Sequence, residues 1–248
     1  MTGRLTGRRA IVTGAASGMG RATALRFAGE GADLVLADLD EPAGAATADA
    51  VRALGRAATF VRLDVARETE WAALAAAGGS ADVLVHCAGI GSAVGGGRDG
   101  TDAYRTLLDV NAGGTLFALR TGVDLLRGRG GSIVTIGSVT AVRTLDSADL
   151  NVGYAASKAA VRSLTRAYAV SAGPLGIRVN CILPGFMQPM RGSRMPADDA
   201  GESPYLPLIP LGRTGTADDV ARVALFLASD DAAYVTGVDL PVDGGFLA

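Results

Sequence analysis

The sequence is poor in cysteine and histidine, on which disulfide-rich and many metal-binding proteins depend, and it has no excess of basic over acidic residues. Its 248 residues include two cysteines and one histidine, too few for the disulfide framework of a small secreted domain. Cys87 and Cys181 both lie in apolar, strand-like runs, so we predict two buried, reduced thiols and no metal site. Lys and Arg number 23 against 25 Asp and Glu, without a block of one sign. This balance argues against a nucleic-acid partner.

Long apolar runs are also missing. No uninterrupted apolar stretch approaches the roughly 18 to 20 residues that cross a bilayer, and the first residues, MTGRLTGRRAIVTG, lack the apolar core of a signal peptide. We therefore predict a cytoplasmic protein without membrane contact. Hydrophobic residues still make up 49% of the chain, enough for a large core, and the formal net charge of −2 fits a small-molecule partner. The abundance of Ala, Gly and Arg is typical of a GC-rich bacterial genome.

Short β-rich runs alternate with longer segments of helical periodicity. The predicted strands are residues 9–14, 32–38, 58–65, 82–89, 132–138, 177–185 and 237–244. Most are continuous apolar runs, as expected of strands buried on both faces. The alternation predicts an α/β fold over residues 1–248, a single Rossmann-type domain. Its doubly wound parallel sheet would have about seven strands, with helices on both faces.

One stretch, residues 186–210, breaks this alternation. It holds several prolines and glycines and shows no clear period. A loop of this length inside a compact domain is either functional or disordered. We predict a lid over the substrate.

A glycine-rich turn, TGAASGMG at residues 13–20, follows the first strand and precedes a helix expected to begin near Arg21. Glycines allow the tight turn and the close approach of a diphosphate, and the helix N-terminus offers free N–H groups. The position of the motif in the first βαβ unit predicts a dinucleotide site. Its predicted contacts are Gly14, Ser17, Gly18, Met19 and Gly20.

The second strand ends at Asp38, which can accept hydrogen bonds from the ribose hydroxyls of the adenosine. Its charge would repel a 2′-phosphate by up to about 4 kcal/mol at 4 Å and an effective dielectric of about 20. Leu39 follows, and no Arg or Lys lies within the turn before Gly20. We therefore predict NAD(H), with NADP(H) as the less favoured cofactor. Asp64, which ends the third strand, could reach the adenine edge or cap a turn.

Four polar residues form a candidate catalytic set. Ser138 ends the fifth strand, where open α/β sheets bind ligands. Tyr154 and Lys158 are four residues apart, which places them on one face of a helix. Asn111 lies upstream in a helix-like segment. Together they suit proton transfer between an alcohol and a carbonyl.

These motifs, taken in order, resemble those of the classical short-chain dehydrogenase/reductase family almost from end to end. The residues that carry the resemblance are Thr13-Gly14-x-x-x-Gly18-x-Gly20, Ala88-Gly89, Asn111, Ser138, Tyr154-x-x-x-Lys158 and Pro184-Gly185. The segments IPLGRTGTADDVARVALFLASD and YVTGVDLPVDGG are similar to the 3-oxoacyl-carrier-protein-reductase-like branch.

The resemblance implies a role for each member of the set. Tyr154 would be the general acid/base, with its pKa lowered by Lys158 and the oxidised nicotinamide. Ser138 would hold the substrate oxygen, Lys158 would also bind the nicotinamide ribose, and Asn111 would support a water path. The family pattern also implies a homotetramer and further cofactor contacts at Val65, Ala88, Gly89, Pro184, Gly185 and Met187.

The chain departs from the family pattern at three places. Cys87 stands where the family usually has Asn, after His86, which we expect to be a packed residue. Gln188 lies near the position where the family commonly places a Thr against the nicotinamide carboxamide, and it could substitute. Residues 139–153 are a few residues longer than usual, and we expect them to reshape the substrate pocket.

The leading prediction is an NAD(H)-dependent oxidoreductase that interconverts a secondary alcohol and a ketone. The alternative is an NADPH-dependent 3-oxoacyl or polyketide ketoreductase, which the C-terminal third favours and Asp38 opposes. A catalytically silent dinucleotide-binding protein would not need the intact set of Ser138, Tyr154 and Lys158.

Overall fold

Seven parallel strands form one sheet in the computed structural model, which describes residues 3–91, 100–144, 152–189 and 205–248. The strands are β1 (Arg9–Thr13), β2 (Asp33–Asp38), β3 (Ala58–Arg62), β4 (Val83–His86), β5 (Gly131–Ile136), β6 (Ile177–Pro184) and β7 (Asp239–Val242). Their order across the sheet is β3-β2-β1-β4-β5-β6-β7. The order reverses between β1 and β4, and this reversal is where doubly wound sheets bind their ligands. The predicted fold class is confirmed.

Helices cover both faces of the sheet. They are α1 (Gly18–Gly29), α2 (Glu41–Ala53), α3 (Trp71–Gly78), α4 (Thr101–Leu107), α5 (Gly114–Leu126), α6 (Val152–Ala172) and α7 (Ala217–Ala228). Buried side chains of α1, α2 and α7 share one core with the sheet, and those of α3, α5 and α6 share the other. A π-helical turn, Leu108–Gly113, joins α4 to α5. Among the described residues, no helix is both long and apolar enough to span a membrane.

The continuous apolar runs follow from this two-sided burial. Successive side chains of a strand point to opposite faces. In β1, Ala10 and Val12 pack in the core with α1 and α7, while Ile11 packs in the core with α3 and α5. Most positions of the central strands are therefore apolar.

Several strands end earlier than the sequence predicts. β3 stops at Arg62 rather than residue 65, and β4 stops at His86 rather than residue 89. The residues that follow turn along the carboxyl edge of the sheet, although most of them, such as Leu63, Val65 and Ala88, are still apolar. α1 begins at Gly18, three residues before the predicted start at Arg21, because the turn residues themselves adopt the first helical turn.

Part of the predicted lid and part of the predicted insertion lie outside the described residues, namely 190–204 and 145–151. The described ends of the lid are attached to the fold. The Gln188 N–H donates to the Gly215 carbonyl (2.8 Å), and the Gly215 N–H donates to the Phe186 carbonyl (2.8 Å).

Candidate active site

The turn between β1 and α1 requires glycine at specific positions. Gly14 and Gly18 have φ of 69° and 52°, in the left-handed region that favours glycine. A Cβ on Gly14 would lie 2.7 Å from the Ala88 nitrogen, and one on Gly20 would lie 2.1 Å from the Gly14 carbonyl oxygen. The turn is thus packed directly against the end of β4, and its backbone is open to a ligand.

The N-terminus of α1 faces the space beyond the sheet edge. Ser17 is the N-cap residue, and its side chain makes no capping hydrogen bond. Met19 is half-buried and packs against the core. First-turn N–H groups at such a helix end carry partial positive charge and suit a diphosphate.

The carboxylate of Asp38 is anchored beside this turn. One oxygen accepts a hydrogen bond from the Ala16 N–H (2.9 Å), and the other accepts from the Asp40 N–H (3.1 Å). Leu39 is exposed. The end of β2 therefore presents a fixed negative charge next to the glycine turn, where a 2′-phosphate would have to approach it.

Asp64 makes the predicted turn contacts, and its contact with the adenine edge remains a prediction. One carboxylate oxygen accepts from the Ala66 N–H (3.1 Å), and the other lies 3.3 Å from the Arg67 Nε. The side chain therefore caps the turn after β3. Val65 is buried, and its carbonyl accepts a hydrogen bond from the Trp71 indole (3.1 Å).

His86 is a packed residue at the end of β4, as expected. It is 2% exposed, its Nδ1 lies 2.8 Å from the Thr13 hydroxyl, and its ring lies against Trp71. Burial, helped by the positive charge of Lys158, lowers the pKa of His86 to about 3. The ring is neutral at physiological pH.

The two cysteines are free thiols in different surroundings. Cys181 is buried, whereas Cys87, which follows the last residue of β4, is half-buried as a whole residue. The predicted buried thiol is confirmed at Cys181, and at Cys87 only the sulfur end of the residue is buried. Burial of its sulfur raises the pKa of Cys87 to about 12, so it remains a thiol.

Ser138 lies two residues beyond β5 and begins the short 3₁₀ turn Val139–Ala141. Its hydroxyl oxygen accepts hydrogen bonds from the Thr140 N–H (3.2 Å) and the Thr140 hydroxyl (2.9 Å). Both contacts leave the Ser138 proton available to a neighbour. That neighbour is Tyr154, whose phenolic oxygen is hydrogen-bonded to Ser138.

Lys158 lies one helical turn after Tyr154 on α6 and is 6% exposed. Its ammonium donates to the Ile136 carbonyl (2.9 Å) and lies 5.8 Å from the centroid of the Tyr154 ring. Burial lowers the pKa of Lys158 to about 8. A Cβ on Gly89 would lie 3.3 Å from this Nζ, so glycine there leaves room beside the ammonium.

The pKa of Tyr154 does not follow the prediction. Burial raises it above its ordinary value, and the hydrogen bond with Ser138 only partly offsets that effect. Lys158 is not a cause of the shift in the protein alone. Stabilising the phenolate therefore requires further positive charge at the site, such as an oxidised nicotinamide would bring.

Asn111 lies in the π-helical turn and is 1% exposed. Its side-chain oxygen accepts from the Ile90 N–H (2.9 Å), and its amide nitrogen donates to the Ile90 carbonyl (3.0 Å) and the Ser157 hydroxyl (3.0 Å). The side chain thus ties the segment after β4 to α6, next to Lys158. The predicted water path remains a prediction.

The residues after β6 close the other side of the cleft. The Gly185 N–H donates to the Val242 carbonyl (3.0 Å), and a Cβ on Gly185 would lie 2.7 Å from the Asp243 Cα. Pro184 and Met187 are buried, the latter against Gly215. Gln188 is exposed, and its predicted role toward a carboxamide remains a prediction.

An aromatic cluster, which the sequence did not reveal, joins three distant segments at this side. The Phe186 ring stacks on Tyr205 with centroids 4.4 Å apart, and Phe246 meets it edge-on at 5.0 Å. Arg143 lies over the Phe246 ring at 4.8 Å and donates to the Phe246 carbonyl (2.9 Å). No periodicity connects these residues, so only the fold brings them together.

The comparisons with known proteins agree with this arrangement. A family model described as enoyl-(acyl carrier protein) reductase matches residues 14–247. The chain is 38% identical over 251 residues to 2,5-dichloro-2,5-cyclohexadiene-1,4-diol dehydrogenase LinX of Sphingobium indicum, with 99% of this chain and 98% of that protein covered.

Two solved structures are similar over nearly the whole chain. A short-chain type dehydrogenase/reductase from Mycobacterium ulcerans has a TM-score of 0.88 at 30% identity, covering 98% of this chain and 90% of that chain. Carveol dehydrogenase from Mycobacterium avium, in complex with NAD, has a TM-score of 0.87 at 32% identity, covering 99% of both chains. Placement in the 3-oxoacyl branch is only loosely supported. The predicted family and enzyme class are confirmed: the chain belongs to the short-chain dehydrogenase/reductase family and is an oxidoreductase.

Proposed function

We propose that the protein is an NAD-dependent dehydrogenase that interconverts a secondary alcohol and a ketone on a six-membered carbon ring. The observation that carries the reaction type is the contact of Ser138 with Tyr154 beside the buried ammonium of Lys158. The ring is suggested by LinX, whose named substrate is a cyclohexadiene diol, and by carveol dehydrogenase, whose named substrate is also a ring alcohol.

In the proposed oxidation, Tyr154 takes the proton of the substrate hydroxyl as general base. Ser138 donates its hydrogen bond to the substrate oxygen, since its own oxygen is already occupied by Thr140. The ammonium of Lys158 would bind the nicotinamide ribose and, together with the positive charge of an oxidised nicotinamide, would stabilise negative charge on Tyr154. Bound NAD would supply the acceptor for the hydride of the carbinol carbon. In the reverse direction Tyr154 returns the proton.

The residues present fit this cofactor. The backbone of Gly14, Gly18 and Gly20 would hold the diphosphate, and Asp38 would bind the adenosine ribose hydroxyls. Gly89 would leave room beside the nicotinamide ribose. The anchored carboxylate of Asp38 favours NAD over NADP, because a 2′-phosphate would meet a charge that cannot swing away.

Three further predictions become part of the proposal. We propose that residues 186–210 act as a lid over the substrate, with its ends held at Gly215 and in the aromatic cluster of Phe186, Tyr205 and Phe246. We also propose a homotetramer and a cytoplasmic location, which rest on family resemblance and on the sequence.

Turnover of ring alcohols tests the reaction. Purified protein is given NAD with cyclohexanol-type alcohols and ring diols, and NADH formation is followed at 340 nm. We expect turnover that Tyr154→Phe reduces by at least about 10²-fold, the usual contribution of a positioned acid/base group. Ring alcohols that are not oxidised, together with rapid NADPH-dependent reduction of 3-oxoacyl thioesters, would establish the ketoreductase alternative instead.

Cofactor selectivity tests the role assigned to Asp38. The ratio of kcat/KM for NAD to that for NADP should fall by about 10-fold or more in Asp38→Asn, because the repulsion disappears while a hydrogen-bonding side chain remains. Asp33→Asn, at the opposite end of β2, serves as the matched control and should leave the ratio unchanged. A wild-type protein that prefers NADP would contradict the assignment.

A further inference from the structure

We infer that Arg162 is a positioning residue that fixes the Ser138 turn against the helix carrying Tyr154 and Lys158. The inference deepens the proposed function and rests on it, since Ser138 and Tyr154 must act on the same substrate oxygen. Nothing in the sequence motifs assigns a role to this arginine.

Arg162 extends the line of functional residues along α6. It lies four residues after Lys158 and eight after Tyr154, so all three share one face of the helix. Arg162 is half-buried, and its guanidinium donates hydrogen bonds to two different parts of the fold. This placement sets it between the helix and the elements that follow β5 and β6.

The first contact of Arg162 is with the Ser138 turn. One terminal nitrogen, Nη1, donates to the Ala141 carbonyl (2.7 Å). Ala141 ends the 3₁₀ turn that Ser138 begins, and the Ala141 N–H donates back to the Ser138 carbonyl (3.1 Å). A shift of Ala141 therefore moves Ser138 with it.

The second contact anchors the arginine itself. The Nε and Nη2 atoms of Arg162 both donate to one carboxylate oxygen of Asp239 on β7, at 3.1 and 2.9 Å. The Asp239 side chain is 8% exposed, so the pair is largely removed from water and little screened. A planar fork with two donors on one acceptor leaves the remaining donor with a fixed direction.

Arg166 provides an internal control. It lies one further turn along α6 and donates to the same Asp239 oxygen, but its side chain is 59% exposed. Within the part of the chain that the structure describes, its side chain bonds to Asp239 and not to the Ser138 turn. Removing Arg166 weakens the anchor of Asp239 while Arg162 keeps its bond to Ala141.

The test compares Arg162→Ala with Arg166→Ala. Steady-state kinetics are measured with NAD and a ring alcohol, and amide hydrogen exchange by mass spectrometry is measured on peptides covering residues 138–143 without substrate. We expect Arg162→Ala to lower kcat by about 10- to 100-fold, the loss that a shift of about 1 Å produces. KM for NAD should change less than about two-fold, and exchange in the peptide should quicken. Arg166→Ala should stay within about three-fold of wild type in kcat.

Two further, milder variants show whether a loss of kcat in Arg162→Ala comes from misfolding or from the lost contact. Asp239→Asn keeps the shape of the anchor and removes its charge, so a smaller fall in kcat with faster exchange is expected. Arg162→Lys should recover only part of the loss, because one ammonium group does not reproduce the directional fork.

The two readouts separate this inference from the proposed function. If wild-type protein oxidises no ring alcohol, the proposed function fails, and the exchange comparison still decides whether Arg162 fixes the turn. Equal kcat for Arg162→Ala and Arg166→Ala overturns the inference. Unchanged exchange in residues 138–143 of a folded Arg162→Ala protein overturns it as well.

Discussion

One buried titratable side chain should make the stability of the protein depend on pH. The only histidine of the chain, His86, is held neutral between Thr13 and Trp71, with a pKa near 3. In the unfolded chain the same group titrates near 6.5. Below that pH the unfolded state binds a proton that the folded state does not, so the free energy of unfolding must fall.

The free energy of unfolding should therefore fall in mild acid, and replacing His86 should remove this part of the pH dependence. Between pH 7 and pH 5 we expect His86 to lower the free energy of unfolding by about 2 kcal/mol relative to a variant without a titrating group there. Urea unfolding of wild type and His86→Gln at both pH values measures the difference. An identical pH dependence of the two proteins would mean that His86 is protonated in the folded state.

At the scale of single residues, the sequence identified the candidate catalytic residues but not the residues that hold them in place. The four-residue spacing of Tyr154 and Lys158 predicts a shared helix face, and the structure has it. Thr140, which occupies the Ser138 oxygen, and Ser157, which holds Asn111, carry no signal in a single sequence. Their roles depend on distances across the fold rather than along the chain.

Among the elements, α1 depends most strictly on its residue types. Its first turn packs so closely on the preceding backbone that Gly20 has no room for a side chain, whereas Gly29, at the other end of the same helix, has open space around it. The two glycines are therefore explained differently. Gly20 is required because a side chain there would collide with the preceding backbone, whereas Gly29 is only a poor helix former.

Alanine substitutions separate these two cases. Gly20→Ala should lower the free energy of unfolding by about 1–3 kcal/mol, the usual cost of overpacking, and should abolish high-affinity NADH binding. Gly29→Ala should leave binding intact and raise stability by up to about 1 kcal/mol through helix propensity. Thermal unfolding and NADH fluorescence titration of the two variants give the comparison. A Gly20→Ala protein that binds NADH like wild type would contradict the close-contact account.

The elements themselves were largely predictable, because burial on both faces makes the central strands continuous apolar runs. These apolar runs do not show where the pairing of two strands ends. Most of the residues after β3 and β4, such as Leu63, Val65 and Ala88, are as apolar as those of the strands, yet they lie outside the strands. Apolarity reports burial, and the end of a strand is decided by the neighbour with which it pairs.

At the scale of the whole molecule, one edge of the sheet remains open for association. Among the strands that the structure describes, β7 has β6 as its single neighbour, and exposed apolar side chains lie nearby, Val170 on α6 and Tyr234 before β7. Gly237 packs against Ala169, which places the end of α6 beside this approach to β7. The proposed tetramer would use this edge.

Light scattering should give a mass four times the 24.9 kDa of the chain. The double variant Val170→Asp, Tyr234→Asp should lower that mass, because two charges would be buried in the interface. Leu54→Asp, an exposed position at the end of α2 near the opposite edge, is the control and should have no effect. A wild-type protein with the mass of one chain would exclude the tetramer.

The order of the strands also bears on how the chain folds during synthesis. β2 and β3 add to β1 on one side, and then β4, β5, β6 and β7 add on the other, each beside a strand made earlier. A chain leaving the ribosome from its N-terminus thus always presents a new strand to a partner that already exists. The part of the site assigned to the adenosine and the diphosphate, with the glycine turn and Asp38, is in place when β4 pairs with β1, before the helix carrying Tyr154 has been translated. The emerging chain should therefore acquire its nucleotide-binding surface well before it acquires the means to use it.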